Sequence, residues 1–153
     1  MAETIRQQII NAVIAALEEI SIANGYETDI GTTVEDWPVN LQGTYDANEL
    51  PVIGVFDVDN TTSREQLRAQ KVKRELTIQA RCYLKSTTPA SECRKVLGDL
   101  EKALWQDETW GGLAVATMPS REGPDIKAES LEISAAVVEV VIHYITCTGN
   151  PYQ

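Results

Sequence analysis

The sequence predicts an α+β fold, in which a mainly antiparallel β-sheet packs against two α-helices as a single pair of layers. Two observations predict this class. Apolar residues recur at steps of three and four in residues 3–23 and 89–105, as on the buried face of a helix. Residues 71–84 alternate between apolar and polar side chains, and residues 129–146 are rich in valine, which is typical of strands. The predicted order of elements is α-β-β-β-α-β-β, in one domain that spans residues 1–153.

The first predicted helix covers residues 3–23 and faces the core. Asn24-Gly25 supplies a left-handed stop after it. Its apolar stripe consists of Ile5, Ile9, Ile10, Val13, Ile14, Leu17 and Ile20. A membrane-surface helix would place Lys and Arg beside such a stripe, and Arg6 alone is present. The helix is therefore predicted to pack inside a domain.

Three strands are predicted before the second helix. The weakest consists of short pieces at residues 28–30 and 32–34, around Gly31. Residues 51–56 form a strand that begins at a proline, and residues 71–84 pair with it in a hairpin. The polar residues 57–70 between them are predicted to be a long exposed loop.

The second predicted helix runs to Trp105 and leads into a glycine turn. Thr88 is a suitable N-cap, and Pro89 fits the first turn, where no backbone N–H is needed. Its apolar face comprises Cys93, Val96, Leu97, Leu100, Ala103 and Leu104. Gly111-Gly112 gives the backbone positive-φ freedom where the helix must become a strand.

The last part of the chain is predicted to contain a short strand at 113–118, a turn at 119–125 and a long strand at 129–146. Apolar residues of the long strand fall at odd-numbered positions from 131 to 137 and at even-numbered positions from 138 to 144. This change of face predicts a β-bulge near residues 136–139. The alternative is that its second half is buried on both faces, by a helix and by a neighbouring subunit. Residues 147–153 are predicted to be a flexible tail.

The net charge of −10 is unevenly distributed along the 153 residues. Eleven acidic residues and one basic residue precede position 61, and the remainder is neutral. Seven of the thirteen basic residues fall between Arg64 and Lys85. This arrangement suits head-to-tail association of subunits, although ordinary solubilising charge explains it equally well. The net acidity argues against DNA as a main partner.

Composition also bears on where the protein works. No apolar run approaches the roughly 20 residues that a membrane span needs, and the first ten residues lack the plan of a secretion signal. We therefore expect synthesis in the cytoplasm and no membrane partner. Cys82, Cys93 and Cys147 have no metal-type spacing and are expected to be free thiols.

The sequence contains no recognisable catalytic set. His143 is the single histidine and lies within the long predicted strand, where a structural role is favoured. Residues 57–60, Asp-Val-Asp-Asn, resemble the start of a calcium loop but lack its later glycine and glutamate, so a solvated loop is favoured. No phosphate-binding glycine motif occurs. We expect no catalytic residue, no metal, no cofactor and no enzymatic activity.

Two groups of residues are candidates for a subunit or partner interface. The first is a basic cluster, which is either a solvated strand edge or a surface that meets acidic protein or DNA inside a ring. The second contains large apolar residues near the outer part of the long strand, together with one tryptophan of the glycine turn. The full set is Arg64, Arg68, Lys71, Lys73, Arg74, Trp110, Val140, Ile142 and Tyr144.

Several segments in order resemble the tail terminator, or tail completion, proteins of long-tailed bacteriophages, the group of the lambda terminator and its minor-tail relatives. An amphipathic first helix is followed by PVIGVFD, ELTIQARCYL, a helix ending in ALWQDETWGGLA, and ISAAVVEVVIHYIT. The most telling part is the D-x-T-x-G-G-L pattern. It is formed by Asp107, Thr109, Gly111, Gly112 and Leu113.

This resemblance implies a structural role in the virion. Such proteins form a ring, typically of about six subunits, on the last ring of tail-tube protein, where they stop tube growth and present the surface that joins the head. The implied partners are further copies of the chain, the tail-tube protein and a head–tail connector or neck protein. The implied location is the tail–neck junction. DNA passes through the lumen without sequence recognition, and an acidic lumen would let it slide.

The sequence is compatible with three other hypotheses about function. The chain is also compatible with another ring protein of the neck, head closure or minor tail. A small monomeric protein-binding module is a second class. A metal-dependent enzyme that uses Asp57 and Asp59 is a third, and it predicts specific binding of a divalent metal.

Overall fold

A computed structural model describes residues 2–37, 51–63, 70–85, 88–125 and 133–153. It confirms the α+β class. Its helices and strands are α1 (Ile5–Glu18), β1 (Val34–Asp36), β2 (Val52–Ser63), β3 (Lys71–Lys85), α2 (Pro89–Leu104), β4 (Ala116–Asp125) and β5 (Ile133–Cys147). Two short 3-10 helices, Ile22–Asn24 and Ile30–Thr32, lie between α1 and β1 and were not predicted.

The five strands form one sheet in the order β1-β2-β3-β5-β4. β1 pairs with β2 in parallel, and the other neighbours are antiparallel. The predicted hairpin is confirmed, since Ile53 of β2 lies opposite Cys82 of β3. The β3–β5 ladder is unbroken from the pair of Lys71 with Cys147 to the pair of Lys85 with Ile133. These two long strands form the centre of the sheet.

Both helices pack on the same face of the sheet. The alternation predicted for β3 is confirmed there, because its even-numbered residues from 76 to 84 are all buried. The helices meet them with Ile9, Ile10, Val13 and Leu17 of α1 and with Cys93, Val96, Leu100, Ala103 and Leu104 of α2. We call the opposite side of the sheet the open face, because no described helix covers it.

The end of α1 differs from the prediction. The helix stops at Glu18 rather than near residue 23, and the 3-10 helix Ile30–Thr32 packs against its last turn. There the Gly31 N–H donates to the carbonyl oxygen of Ile20 at 3.0 Å. The strand pieces predicted around Gly31 are therefore wrong, except that Val34 begins β1. The carbonyls left unpaired at a helix end offer acceptors to a nearby turn, and a local pattern does not reveal this.

The loop predicted at residues 57–70 is also partly wrong. β2 continues to Ser63, so residues 57–63 pair with the first half of β3 across a register shift between Asp57 and Asp59. β1 pairs only with residues 53–55. The later half of β2 therefore has a described strand neighbour on one side only, which tolerates polar residues. Residues 64–69 of the predicted loop lie outside the described part of the chain.

Two further predictions are wrong at the edge of the sheet that β4 forms. Residues 119–125 are not a turn but belong to β4, where Pro119 and Pro124 are tolerated because β4 is an edge strand. The bulge predicted in β5 is wrong, since β5 keeps its register with β3. The irregularity lies instead in β4, between Pro119 and Arg121, opposite Val140 and Glu139.

The parity change in β5 reflects burial on both faces. All four residues from Ala135 to Val138 are buried, so the doubly buried part is in the first half of the strand, not the second. After β5 the chain turns back: the Cys147 N–H donates to the Gln153 carbonyl at 2.6 Å, and the Ile5 N–H of α1 donates to the Pro151 carbonyl at 3.0 Å. The tail predicted to be flexible is thus hydrogen-bonded to β5 and α1.

Candidate functional site

The basic part of the predicted interface lies at the start of β3, but it does not form one surface. Successive strand residues point to opposite sides. Lys71 and Lys73 therefore project on the open face, whereas Arg74 projects on the helix-covered side, opposite Tyr144 of β5. Arg64 and Arg68 lie outside the described residues. The predicted cluster is thus divided between the two faces of the sheet.

The apolar residues of the predicted interface fill the protein's own core. Trp110, Val140, Ile142 and Tyr144 are between 0% and 4% exposed. The three β5 residues have even numbers and face the helices, so they present no side-chain surface to a partner. The β5 residues available on the open face are the odd-numbered ones.

The open face has a polar centre. The Glu139 carboxylate accepts hydrogen bonds from Gln79 Nε2 at 2.6 Å and from Ser120 Oγ at 2.7 Å. Burial alone would raise the pKa of Glu139, but these bonds, with the charge of Arg121, hold it below its usual value. Glu139 is therefore ionised at neutral pH. It places a fixed negative charge in the middle of the face.

The end of the open face nearest Lys71 combines paired charges with aliphatic side chains. Glu75 lies 3.8 Å from Lys73 Nζ and 3.7 Å from His143 Nδ1. Val141 and Ile145 stand on the same face and are half-buried. Such a mixture of apolar and charged groups resembles the surfaces through which soluble proteins associate. It is the strongest candidate interface among the described residues.

Asp57 joins three parts of the fold on the helix-covered side of the sheet. Its carboxylate pairs with the Arg6 guanidinium of α1 and accepts a 2.6 Å hydrogen bond from Trp37 Nε1. The Trp37 ring stands edge-on to Phe56, with ring centroids 5.4 Å apart. Asp57 therefore ties α1 and the segment after β1 to β2. This is a structural role.

The arrangement of residues 57–60 argues against a shared metal site. Asp57 lies opposite Ile78, which faces the helices, whereas Asp59 lies opposite Thr77 on the open face. The two carboxylates thus point to different sides of the sheet. Across the described ranges, no group of three His, Cys, Asp or Glu residues is placed to hold a metal ion. The metal-dependent alternative loses the geometry on which it depended.

The ionisation of Asp57 gives a testable pH dependence. Burial alone would raise the pKa of Asp57, but the hydrogen bonds from Trp37 and Arg6 and the charge of Arg6 lower it overall. A carboxyl group whose pKa is lower in the folded state than in the unfolded state stabilises the fold above about pH 4. This contribution to the free energy of unfolding is lost as the pH falls through the folded-state pKa. We expect Asp57→Asn to reduce the free energy of unfolding by about 1 kcal/mol at about pH 7 and by almost nothing at about pH 2.

Urea unfolding at the two pH values measures this difference. Asp59→Asn is the matched control, because Asp59 is exposed and its side chain accepts a local hydrogen bond from the adjacent Asn60 N–H. A loss in Asp57→Asn that stays the same at low pH would contradict the assignment.

The Asp-x-Thr-x-Gly-Gly-Leu stretch forms a self-supporting turn between α2 and β4. Asp107 Oδ1 accepts from the Thr109 N–H at 3.0 Å, and Oδ2 accepts from the Gly111 N–H at 2.8 Å. Trp110, Gly111 and Gly112 have φ values of +51°, +72° and +88°. The predicted positive-φ freedom at the two glycines is therefore required. Asp107, Thr109 and the two glycines of the pattern therefore each have a structural role in the turn.

Trp110 anchors this turn in the core. Its Nε1 donates to Thr117 Oγ1 at 2.9 Å, and that hydroxyl donates in turn to the Glu108 carbonyl at 2.8 Å. Thr117 is only 3% exposed. The indole therefore buries its ring while its N–H remains satisfied. The turn is part of the architecture that positions β4.

Sequence reasoning missed Asp99, a buried aspartate of α2. It is 3% exposed, and its oxygens accept from the Glu27 N–H at 3.1 Å and from Thr28 Oγ1 at 2.5 Å. Three residues further along α2, Lys102 Nζ donates to the Gly25 carbonyl at 2.7 Å. Together they attach residues 25–28 to α2. The signal in the sequence was an aspartate directly before Leu100, a core position of the apolar face.

The three cysteines are free, as predicted. Burial raises the pKa of Cys82 to about 12 and also raises that of Cys93. Neither thiol is therefore available as a thiolate nucleophile at neutral pH. Both act as small apolar side chains in the core.

No protein-family model matches this sequence, and no curated protein matches it. Neither described helix has the length and apolar character needed to cross a membrane.

Proposed function

We propose that this protein is a structural subunit of a phage virion, which assembles into a ring on the end of the tail tube, ends tube polymerisation and provides the surface for joining the head. The observation that carries the proposal is the open face, with its half-buried Val141 and Ile145 beside paired charges. Covering half-buried aliphatic side chains on a sheet face removes apolar surface from water, which favours association. A neighbouring subunit is the proposed cover.

The charge distribution supports association of unlike surfaces. Lys71 and Lys73 stand at the end of β3 that follows the β2–β3 connection. At the other end of β3, a groove of about 500 Å³ beside Leu84 is lined by three acidic and two basic residues, which are Glu27, Asp29, Glu92, Lys85 and Lys95. The small acidic excess of this groove and the lysines at the other end of β3 favour a head-to-tail contact, and head-to-tail contacts that close form rings. This is the association that a tube-capping ring requires.

The proposed ring makes a testable prediction about assembly. Light scattering across protein concentration and salt, with negative-stain images of the same fractions, should reveal a closed ring of about six subunits. Val141→Glu should weaken self-association by at least about tenfold, because it places a charge where the aliphatic surface is buried. Its circular dichroism should match that of the wild type.

Ile22→Glu is the matched control for this variant. It makes the same change at a side chain that is 60% exposed and lies on the helix layer, so assembly should be preserved. A second experiment measures binding of the protein to purified tail tubes, because a terminator is expected to bind their ends. A protein that stays monomeric under all conditions and does not bind tube ends would overturn the proposal and favour the monomeric binding module.

A further inference from the structure

A small polar cavity lies where α1 begins and β5 ends. Its volume is about 230 Å³, and no acidic residue is among the described residues that line it. The residues that line it are Thr4, Arg6, Asn60, Arg74, Tyr144, Thr146 and Pro151. The cavity lining thus combines one guanidinium that is paired with Asp57, a second that has no described acidic partner, and several hydrogen-bonding side chains. This is the chemistry that binds an oxyanion.

Arg74 provides the uncompensated charge. Its Nε donates to Thr146 Oγ1 at 2.9 Å, and Thr146 is only 2% exposed. This bond holds the guanidinium in place and uses one of its five donors. No described carboxylate forms an ion pair with it. As far as the described part of the chain shows, the remaining donors are therefore available to a ligand in the cavity.

Arg6 differs from Arg74, because its charge is already balanced by Asp57. Its position is nevertheless favourable for an anion. It lies in the first turn of α1, a helix of 14 residues whose first turn contains no acidic side chain. The partial positive charge of this helix end is therefore not neutralised within the helix. It adds to the positive potential beside Arg74.

Tyr144 is the second, independent indication of a ligand. The residue is 2% exposed, and within the described residues its hydroxyl has the Asn60 amide as its hydrogen-bond partner. The two possible bonds between them measure 3.3 Å and 3.5 Å, which is long for a phenol. A buried hydroxyl with so weak a partner is costly. A ligand oxygen in the cavity would give it a better one.

We propose that this cavity is a binding site for a small oxyanion, a carboxylate or a phosphate group, held by Arg74 and by the Tyr144 hydroxyl. The group comes either from a free ion or from an aspartate or glutamate of a second copy of the chain. Both sources offer the same oxygens to the same donors. The proposal does not depend on the ring.

Thermal unfolding tests the site directly. At equal ionic strength, about 50 mM phosphate or acetate should raise the Tm of the wild type by about 3 °C or more relative to chloride. Arg74→Gln should lose this rise. Lys71→Gln is the matched control, because it removes the same charge from an exposed position on the same strand and should retain the rise. Isothermal titration with phosphate gives the affinity.

Tyr144→Phe keeps the inference testable if Arg74→Gln does not fold. Removing only the hydroxyl should weaken phosphate binding at least about fivefold while preserving the fold. Sedimentation distinguishes the two sources: phosphate dissociates the oligomer if a second copy supplies the group, and leaves it unchanged if a free ion is the ligand. A wild type with no rise over chloride, or an Arg74→Gln variant with a full rise, overturns the proposal.

Discussion

Gly31→Ala should lower the free energy of unfolding by at least about 3 kcal/mol and Tm by about 6–12 °C. A Cβ at this position would lie 2.6 Å from the Leu17 carbonyl oxygen, 2.7 Å from that of Ile20 and 2.8 Å from that of Glu18. All three are backbone atoms at the end of α1, so no side-chain rotation can relieve the contact. The 3-10 helix Ile30–Thr32 must move away from α1. Urea and thermal unfolding measure the loss.

Gly98→Ala is the matched control for this substitution. Gly98 lies within α2, and a Cβ there would meet no heavy atom within 4 Å. Alanine in the interior of a helix should raise the free energy of unfolding by about 0.5–1 kcal/mol. The two Gly→Ala changes are thus expected to have opposite signs. Equal effects would show that close contact with the carbonyls of residues 17–20 is not the reason for the glycine at position 31.

Trp110→Ala should lower the free energy of unfolding by about 4 kcal/mol. The indole is 4% exposed and belongs to the core, and its loss leaves a cavity beneath the turn that leads into β4. It also removes the donor to the buried Thr117 hydroxyl. Because the change lies in the core, a ring that formed through the open face should retain its contacts whenever the variant is folded. Chemical denaturation measures the effect.

Two variants separate the contributions to this loss. Trp110→Phe retains most of the buried ring surface and removes the N–H, so it should cost about 1–2 kcal/mol. Tyr152→Ala removes an aromatic ring that is 50% exposed and should change stability by less than about 0.5 kcal/mol. A Trp110→Ala variant as stable as the wild type would show that the tryptophan does not anchor the turn.

The candidate interface could be predicted only in part, because strand alternation divides residues that are neighbours in sequence. Lys73 and Arg74 belong to one basic cluster in the chain, yet they face opposite sides of the sheet. Likewise Val140 and Ile142 are in the core while Val141 lies between them on the open face. The valine-rich run predicted a strand correctly. It did not show whether the odd-numbered or the even-numbered side chains of the strand face the helices.

The anion cavity depends on contacts between residues that are far apart in the chain. Arg74 meets Thr146 across the β3–β5 ladder, and Asn60 approaches Tyr144 over a separation of 84 residues. No local spacing links these positions, so a sequence pattern did not reveal them. Asp99 was missed for the same reason, since its partners at residues 27 and 28 are about seventy positions away.

Interactions within a few residues of the chain determine a large part of this fold. The alternation of residues 71–84, the apolar stripes of the two helices and the positive-φ turn at Gly111-Gly112 each follow from interactions within a few residues. They were sufficient for the α+β class, the β2–β3 hairpin and the order of the main elements. Burial periodicity and backbone sterics act locally and are therefore readable in the sequence.

Tertiary structure alone decided the features that depend on distant neighbours. These include the end of α1 against Gly31, the extension of β2 to Ser63, the position of the bulge in β4 and the side of the sheet that remains open. Polar residues form a strand when a long partner such as β3 pairs with them. A glycine becomes indispensable when another backbone closes on it. Both effects arise only when segments far apart in the chain are brought together, because the energies involved belong to the contact and not to either segment.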